Sequence, residues 1–157
     1  MFFQPLKDLA NLMIDSNINK IINTLIKRPE FTELIIELNT FEQLHEKGID
    51  SLGVSLGQYS PTTIEGTSSF AGRAERGLRF DHITLFDTGD FYKSFKVIIR
   101  NESDSFFFID ADPQKEDTNL FQEWGVDVLG LTQESIDVLN DKLRTELQRE
   151  IKKLLRS

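Results

Sequence analysis

The segment from His82 to Ile109 limits the fold more than any other part of the chain. It opens with His82-Ile83-Thr84-Leu85-Phe86, where Ile83 and Leu85 alternate with Thr84 and Phe86, the two-residue period of a strand. The period breaks at Asp87-Thr88-Gly89. Asp87 and Thr88 each carry a side-chain oxygen able to cap a helix, Gly89 permits a sharp turn, and Asp90 falls where a first-turn carboxylate complements the helix dipole. Phe91, Tyr92, Ser94 and Phe95 then give about one helical turn, with apolar groups on one side. Two strands follow, Phe95–Arg100 and Ser105–Ile109, joined by the turn-forming residues Asn101-Glu102-Ser103-Asp104. The segment reads as strand, capped turn, short helix and antiparallel hairpin.

The flanks read as helix. Residues 5–28 carry Leu6, Leu9 and Met13 on one face and continue through Ile14, Ile18, Ile21, Ile22 and Leu25, with Asp15-Ser16-Asn17 as a dividing point. Pro29 ends this helix and opens the next, Glu30–Lys47, whose stripe is Phe31, Leu34, Leu38 and Leu44 and whose C-cap is Gly48. A short helix over Asn119–Trp124 stops at Gly125. The last helix starts from Thr132 and carries Ile136, Leu139, Leu143, Leu147, Ile151 and Leu154 at spacings of three and four. The expected fold class is α+β: an antiparallel sheet built round a central hairpin and packed by N-terminal helices and a long C-terminal helix. One domain of 157 residues is expected. Its parts are a helical region at 1–47, a Gly-rich loop region at 48–81, the strand and hairpin core at 82–110, and the C-terminal helices at 119–157.

Composition narrows the function classes. A net charge of −8 argues against tight binding of nucleic acid or an anionic membrane. With no cysteine there is no disulfide and no thiolate zinc site. No signal peptide and no membrane span is evident. Thirteen Phe against two Tyr and one Trp point to a core, or contacts between subunits, that needs no polar tip satisfied. Val54–Tyr59 has the look of a short strand, and Pro61–Phe80 lacks any period and reads as a mobile loop. That loop carries Arg73, Arg76 and Arg79. They form either a solvated face or a surface that pairs with an acidic partner or grazes DNA phosphates.

Asp87-Thr88-Gly89 matches the triplet of aspartic proteases, but a helix follows it and long helices flank it, so Asp87, Thr88, Gly89 and Asp90 are read as a structural turn and cap. Asp87, Asp90, Asp110 and Asp112 sit at strand ends where a hard cation could be held, yet they fit no calcium-loop spacing and read as turn carboxylates. His45 and His82 have no nucleophile elbow to serve. No catalytic, metal or cofactor site is expected.

The order of short motifs goes further. Gln43-Leu44, Gly48-Ile49-Asp50, Gly53, Leu56-Gly57, Tyr59-Ser60, Thr63-Ile64 and then Leu85-Phe86-Asp87-Thr88-Gly89-Asp90-Phe91-Tyr92-Lys93-Ser94 resemble the virion-morphogenesis family of tailed bacteriophages, the tail-completion or head–tail neck proteins. Trp124-Gly125 and Gly130-Leu131-Thr132 before a final helix extend the resemblance, which spans residues 40–155. It implies a structural virion protein that forms a homo-oligomeric ring at the head–tail junction. The ring would contact portal or connector and tail proteins and surround packaged DNA without binding it specifically, with no membrane and no cofactor involved.

Side chains alternate along a strand, so Phe106, Phe107 and Phe108 cannot all share one face of the hairpin. The C-terminal helix covers one face. The N-terminal helices or a neighbouring subunit must cover the other, and Phe107 is the expected subunit contact, with Arg73, Arg76 and Arg79 as further contacts to a subunit or the DNA path. Two rival readings remain at this stage: a hydrolase dependent on Asp87 and Asp90, and a monomeric protein-binding module.

Overall fold

The structure, a computed structural model, describes residues 17–102 and 105–156, of which 101, 102, 105 and 106 are described by backbone alone. Residues 5–16 of the helix expected over 5–28, with Asp15 and Ser16 of its dividing point, Ser103 and Asp104 of the expected turn, and the side chain of Phe106 lie outside the described residues, while Asn17 is helical. The fold is α+β.

Residues 17–26 are helical (α1). Arg28 is extended, and Pro29 starts α2 (Pro29–Glu37) at a position where its missing N–H costs nothing. Phe31 and Ile35 face inward, both fully buried. No cap interrupts the chain at Leu38, where the helix widens into π turns over Leu38–Lys47 and ends at Gly48 in the left-handed conformation. A π segment of this length is rare. Positions four apart drift one way round an α-helix, and the wider i→i+5 turns reverse that drift, so 31, 35, 39 and 43 all stay on the buried side.

Two of those positions are amides. Asn39 donates Nδ2–H to the Val128 carbonyl and accepts from Gly130 N–H at Oδ1, both at 2.9 Å. Gln43, one turn on, donates Nε2–H to the Gly130 carbonyl at 2.9 Å and accepts from Thr132 N–H at 2.8 Å. Side chains of the π segment thus bond the backbone of 128–132 much as a neighbouring strand would.

The Gly-rich region is more structured than its composition suggests. Asp50 Oδ1 accepts from Leu52 N–H and Val54 N–H at 2.9 and 2.8 Å and fixes a tight turn. Val54–Tyr59 forms no strand, only the bridge Ile49↔Ser55. Residues 61–80, expected as loop, contain α3 (Pro61–Glu65), capped by Ser60, and a two-residue ladder of β1 (Gly66–Thr67) with β2 (Phe70–Ala71). The missing cue was length: elements of two to five residues are too short to show a period.

His82–Phe86 is unpaired, against the expected strand. Leu85 has φ +57°, a left-handed conformation that stops the alternation. After α4 (Asp90–Lys93), β3 (Lys96–Glu102) and β4 (Ser105–Asp110) form the expected antiparallel hairpin. Its register runs from Lys96↔Asp110 to Ile99↔Phe107, then shifts by one residue before Glu102↔Ser105, a bulge on β3. β5 (Gln114–Lys115) and β6 (Thr118–Asn119) make a third small ladder. α5 (Leu120–Trp124) is capped by Asn119 and stops at Gly125 as expected. α6 (Gln133–Arg156) follows, with Ser135 N–H on Thr132 Oγ1.

The core runs from Leu25 and Ile26 through Phe31, Ile35 and Leu44 to Phe95, Ile109, Val128 and Leu139. The register puts Val97, Ile99, Phe107 and Ile109 on one face of the hairpin, and all four pack into this core. Ile98 and Phe108 pair on the other face, beside the Lys96–Asp110 ion pair at 3.0 Å. α6 lies against α1 and α2, tied by Arg28 to Glu150 at 3.1 Å and by Lys142 to the Glu30 carbonyl at 3.1 Å.

Candidate functional site

Three other stretches of the chain converge on Thr84, which is fully buried. Arg73, just after β2, lies over the Tyr59 ring at 4.2 Å and donates Nη2–H to Thr84 Oγ1 at 3.3 Å. Its other donors take the Arg79 carbonyl through Nε and the Phe86 carbonyl through Nη1, each at 2.8 Å. Phe86 N–H also reaches Thr84 Oγ1, at 3.2 Å. Because that oxygen already accepts from two N–H donors, its own proton goes to Tyr59 Oη, 3.2 Å away. Thr84 N–H bonds the same phenol at 3.1 Å, and Tyr92 O–H bonds the Thr84 carbonyl at 2.5 Å. Burial, and next to it the Tyr59 phenol, push the Tyr92 hydroxyl well above the ordinary tyrosine range, so it stays a neutral donor. The bonds on either side of Leu85 hold its left-handed backbone in place.

Beside this seam, Asp87 is held between two cations rather than acting as a cap. Lys115 Nζ lies 2.6 Å from Oδ2 and Arg76 Nη1 lies 2.5 Å from Oδ1. Lys115 first, then Arg76, keeps the Asp87 carboxyl below its ordinary range against the opposing effect of burial. The residue before α4 is Gly89, at φ +88° and without a side chain to cap; Thr88 Oγ1 accepts from Asp90 N–H at 3.4 Å. A side chain at this glycine would be strained by that φ and would press on the Phe86 ring. Thr88 donates Oγ1–H to Asp90 Oδ2 at 2.6 Å, and Asp90 is the first residue of α4 as expected.

The four aspartates weighed as cation ligands do not meet. Asp110 pairs with Lys96, Asp112 accepts from Gln114 N–H, and Asp87 is occupied by its two cations. Among the described residues no three His, Cys, Asp or Glu side chains are grouped so as to hold a metal ion.

The three arginines are not one surface. Arg73 is buried and Arg76 is spent on Asp87. Arg79 bridges Asp81 at 2.8 Å and Glu46 at 2.9 Å, which raises its own proton affinity and depresses both carboxyls; His45 is the larger influence on Glu46. In the stretch expected to be mobile, Arg73 N–H and Ala74 N–H bond the Thr63 and Ile64 carbonyls, both at 3.0 Å. His82 donates Nε2–H to the His45 carbonyl at 2.8 Å and packs on the Gly48 backbone. Phe107 is half-buried against the core, and the outward aromatic is Phe108, with the Arg100 guanidinium 4.2 Å above its ring.

Chemically, the arrangement locks backbone segments together and keeps its charges paired. Tyr59, Thr84, Tyr92, Lys115, Asn39 and Gln43 carry it, and none was singled out as a site residue from the sequence. Gln43, Tyr59 and Tyr92 do fall inside the short motifs quoted from the sequence, which was the available signal. Comparison with protein-family models, with curated proteins and with solved structures finds no match.

Proposed function

We propose that this chain is a structural protein of a tailed-phage virion, a subunit of the neck or tail-completion ring around the DNA path. One observation carries the reading: side chains of the phage-like motifs bond segments brought from distant parts of the chain. Gln43 takes Gly130 and Thr132, and Tyr59 takes Thr84 at the entrance to the Leu85–Ser94 motif. In an enzyme, short signature residues converge on a space for substrate. Here they converge on backbone, as residues kept for a shape would.

Electrostatics support the same reading. A protease-like aspartate shares a proton with a second carboxylate, whereas Asp87 sits between Lys115 and Arg76, which hold it ionised. The paired arginines leave an acidic chain of net charge −8 with little to attract a passing duplex, as suits a ring that DNA must slide through. No helix among the described residues is long and apolar enough to cross a membrane. The partners of this reading are copies of the chain, a portal or connector, and tail proteins.

The test is particle composition. Tailed particles produced from the encoding genome are purified and their proteins quantified by mass spectrometry. The expected result is the chain at a fixed copy number, with headed particles that lack tails when it is deleted. Absence from the particles overturns the reading, as does a peptidase activity lost in a folded Asp87→Asn variant.

A further inference from the structure

We propose that copies of this chain join head to tail, the last turns of α6 of one copy seating in the groove between α2 and α6 of the next. The proposal rests on the ring reading above only in supposing that copies assemble.

The groove, with about 300 Å³ of space, has Leu34, Leu38 and Val138 as its apolar surface and Glu37, Glu42 and Glu134 around it. Val138 is 47% exposed there. Lys47 also lines the groove, and it neutralises Glu134 at 2.6 Å. No ion pair among the described residues engages Glu37 or Glu42, so the groove offers apolar surface with uncompensated negative charge.

The far end of α6 has the complementary character. Leu155 is 82% exposed, with Lys152 one turn before it and Arg156 next to it. Neither cation is in an ion pair among the described residues, whereas Lys153 pairs with Glu150 on its own helix. Cations at a helix C-terminus complement the dipole, which explains the sign of Lys152 and Arg156. It does not explain a leucine held in solvent between them.

Length and charge narrow the mode of association. Glu134 and Leu155 lie 21 residues apart on one continuous helix, about 31 Å. A copy cannot fill its own groove. Groove against groove or tail against tail would oppose like charges. Tail into groove satisfies both surfaces and repeats indefinitely, closing into a ring where the rotation permits.

The experiment uses the full chain in three forms: wild type, a tail variant (Lys152→Glu with Arg156→Glu), and a groove variant (Glu37→Lys with Glu42→Lys). Circular dichroism checks folding and mass photometry reads association. The substituted side chains are at the surface and the folds are expected to survive. Each variant alone is expected to associate roughly tenfold or more weakly than wild type. Mixing the two restores association, because each tail then meets a groove of opposite charge. Leu155→Asp is expected to weaken association with the groove untouched, and high salt to weaken the wild type.

A wild type that stays monomeric at every concentration, or stops at a dimer, overturns the proposal. So do variants that associate like the wild type, or a mixture that does not recover. Failure here is distinct from failure of the ring reading: a chain found in particles whose charge reversals are harmless refutes this contact alone. A chain that joins head to tail yet is absent from particles refutes the ring reading alone.

Discussion

Replacing Thr84 by valine tests whether the buried seam is held by its hydroxyl or merely filled by its shape. The substitution keeps the branched outline and removes one oxygen. That oxygen accepts from Phe86 N–H at 3.2 Å and Arg73 Nη2–H at 3.3 Å and gives its proton to Tyr59 at 3.2 Å. The two neutral bonds are worth about 1 kcal/mol each and the guanidinium bond about 1.5 kcal/mol, together about 3.5 kcal/mol. Exchanging hydroxyl for methyl at a site with no exposure returns about 1 kcal/mol. The expected net loss is about 2.5 kcal/mol. Thr84→Ser keeps the oxygen and loses only a methyl, for about 1 kcal/mol. The bulkier, more apolar variant is therefore expected to be the less stable one. Urea unfolding at neutral pH reads this directly. With a slope of about 2 kcal/mol per molar, the valine variant's midpoint falls by about 1.2 M and the serine variant's by about 0.5 M. A valine variant as stable as wild type, or more stable than the serine variant, would refute the hydrogen-bonded seam. Tyr59→Phe costs less in the Thr84→Val background than in wild type, because the bond between the two hydroxyls is already gone and only the one from Thr84 N–H, about 1 kcal/mol, remains to be lost.

Asp87→Asn is expected to cost about 1 kcal/mol at neutral pH, by weakening the links to Lys115 and Arg76. Because folding depresses the Asp87 carboxyl, its stabilisation is full above the ordinary carboxylate range and disappears as pH falls through the folded-state value. Melting temperatures of wild type and variant should thus converge in acid, and a constant gap would refute the pairing. Gln43→Leu strands the Gly130 carbonyl and the Thr132 N–H, for about 2 kcal/mol; faster hydrogen exchange at Thr132 would localise the loss. Gly72→Ala would put a methyl 2.2 Å from the Ile64 carbonyl oxygen, so a loss of about 1–3 kcal/mol is expected by thermal denaturation. An unchanged midpoint would mean that α3 and β2 do not pack as described.

The sequence was most legible where a single period ran long enough to be counted. α6 follows its stripe at Leu139, Leu143 and Leu147, though Leu154 at its end is exposed, and the hairpin emerges with its inner and outer faces as alternation requires. Pro29, Gly48, Asn119 and Thr132 stand where their local chemistry places them. The failures share another cause. Whether Asp87 caps a helix or pairs with Lys115 depends on a residue 28 positions away, and Arg73 looks like a solvent cation until Tyr59, Thr84 and Phe86 are seen around it. Asn39 and Gln43 are polar residues in a helical pattern, and only the widened π turns bring both inward. Such features are set by distant partners, and local propensity carries no record of them.

The left-handed twist at Leu85 has a consequence for how the chain avoids itself. His82-Ile83-Thr84-Leu85-Phe86 has the branched and aromatic content of an aggregation-prone strand, and an extended run with unpaired N–H and C=O groups would be a template for another molecule's edge. One residue at φ +57° removes that flat template, and the neighbouring polar groups are taken by Tyr59, Arg73 and Tyr92. The backbone strain at Leu85 thus acts as protection. A segment this sticky is thereby kept from becoming an unintended docking edge.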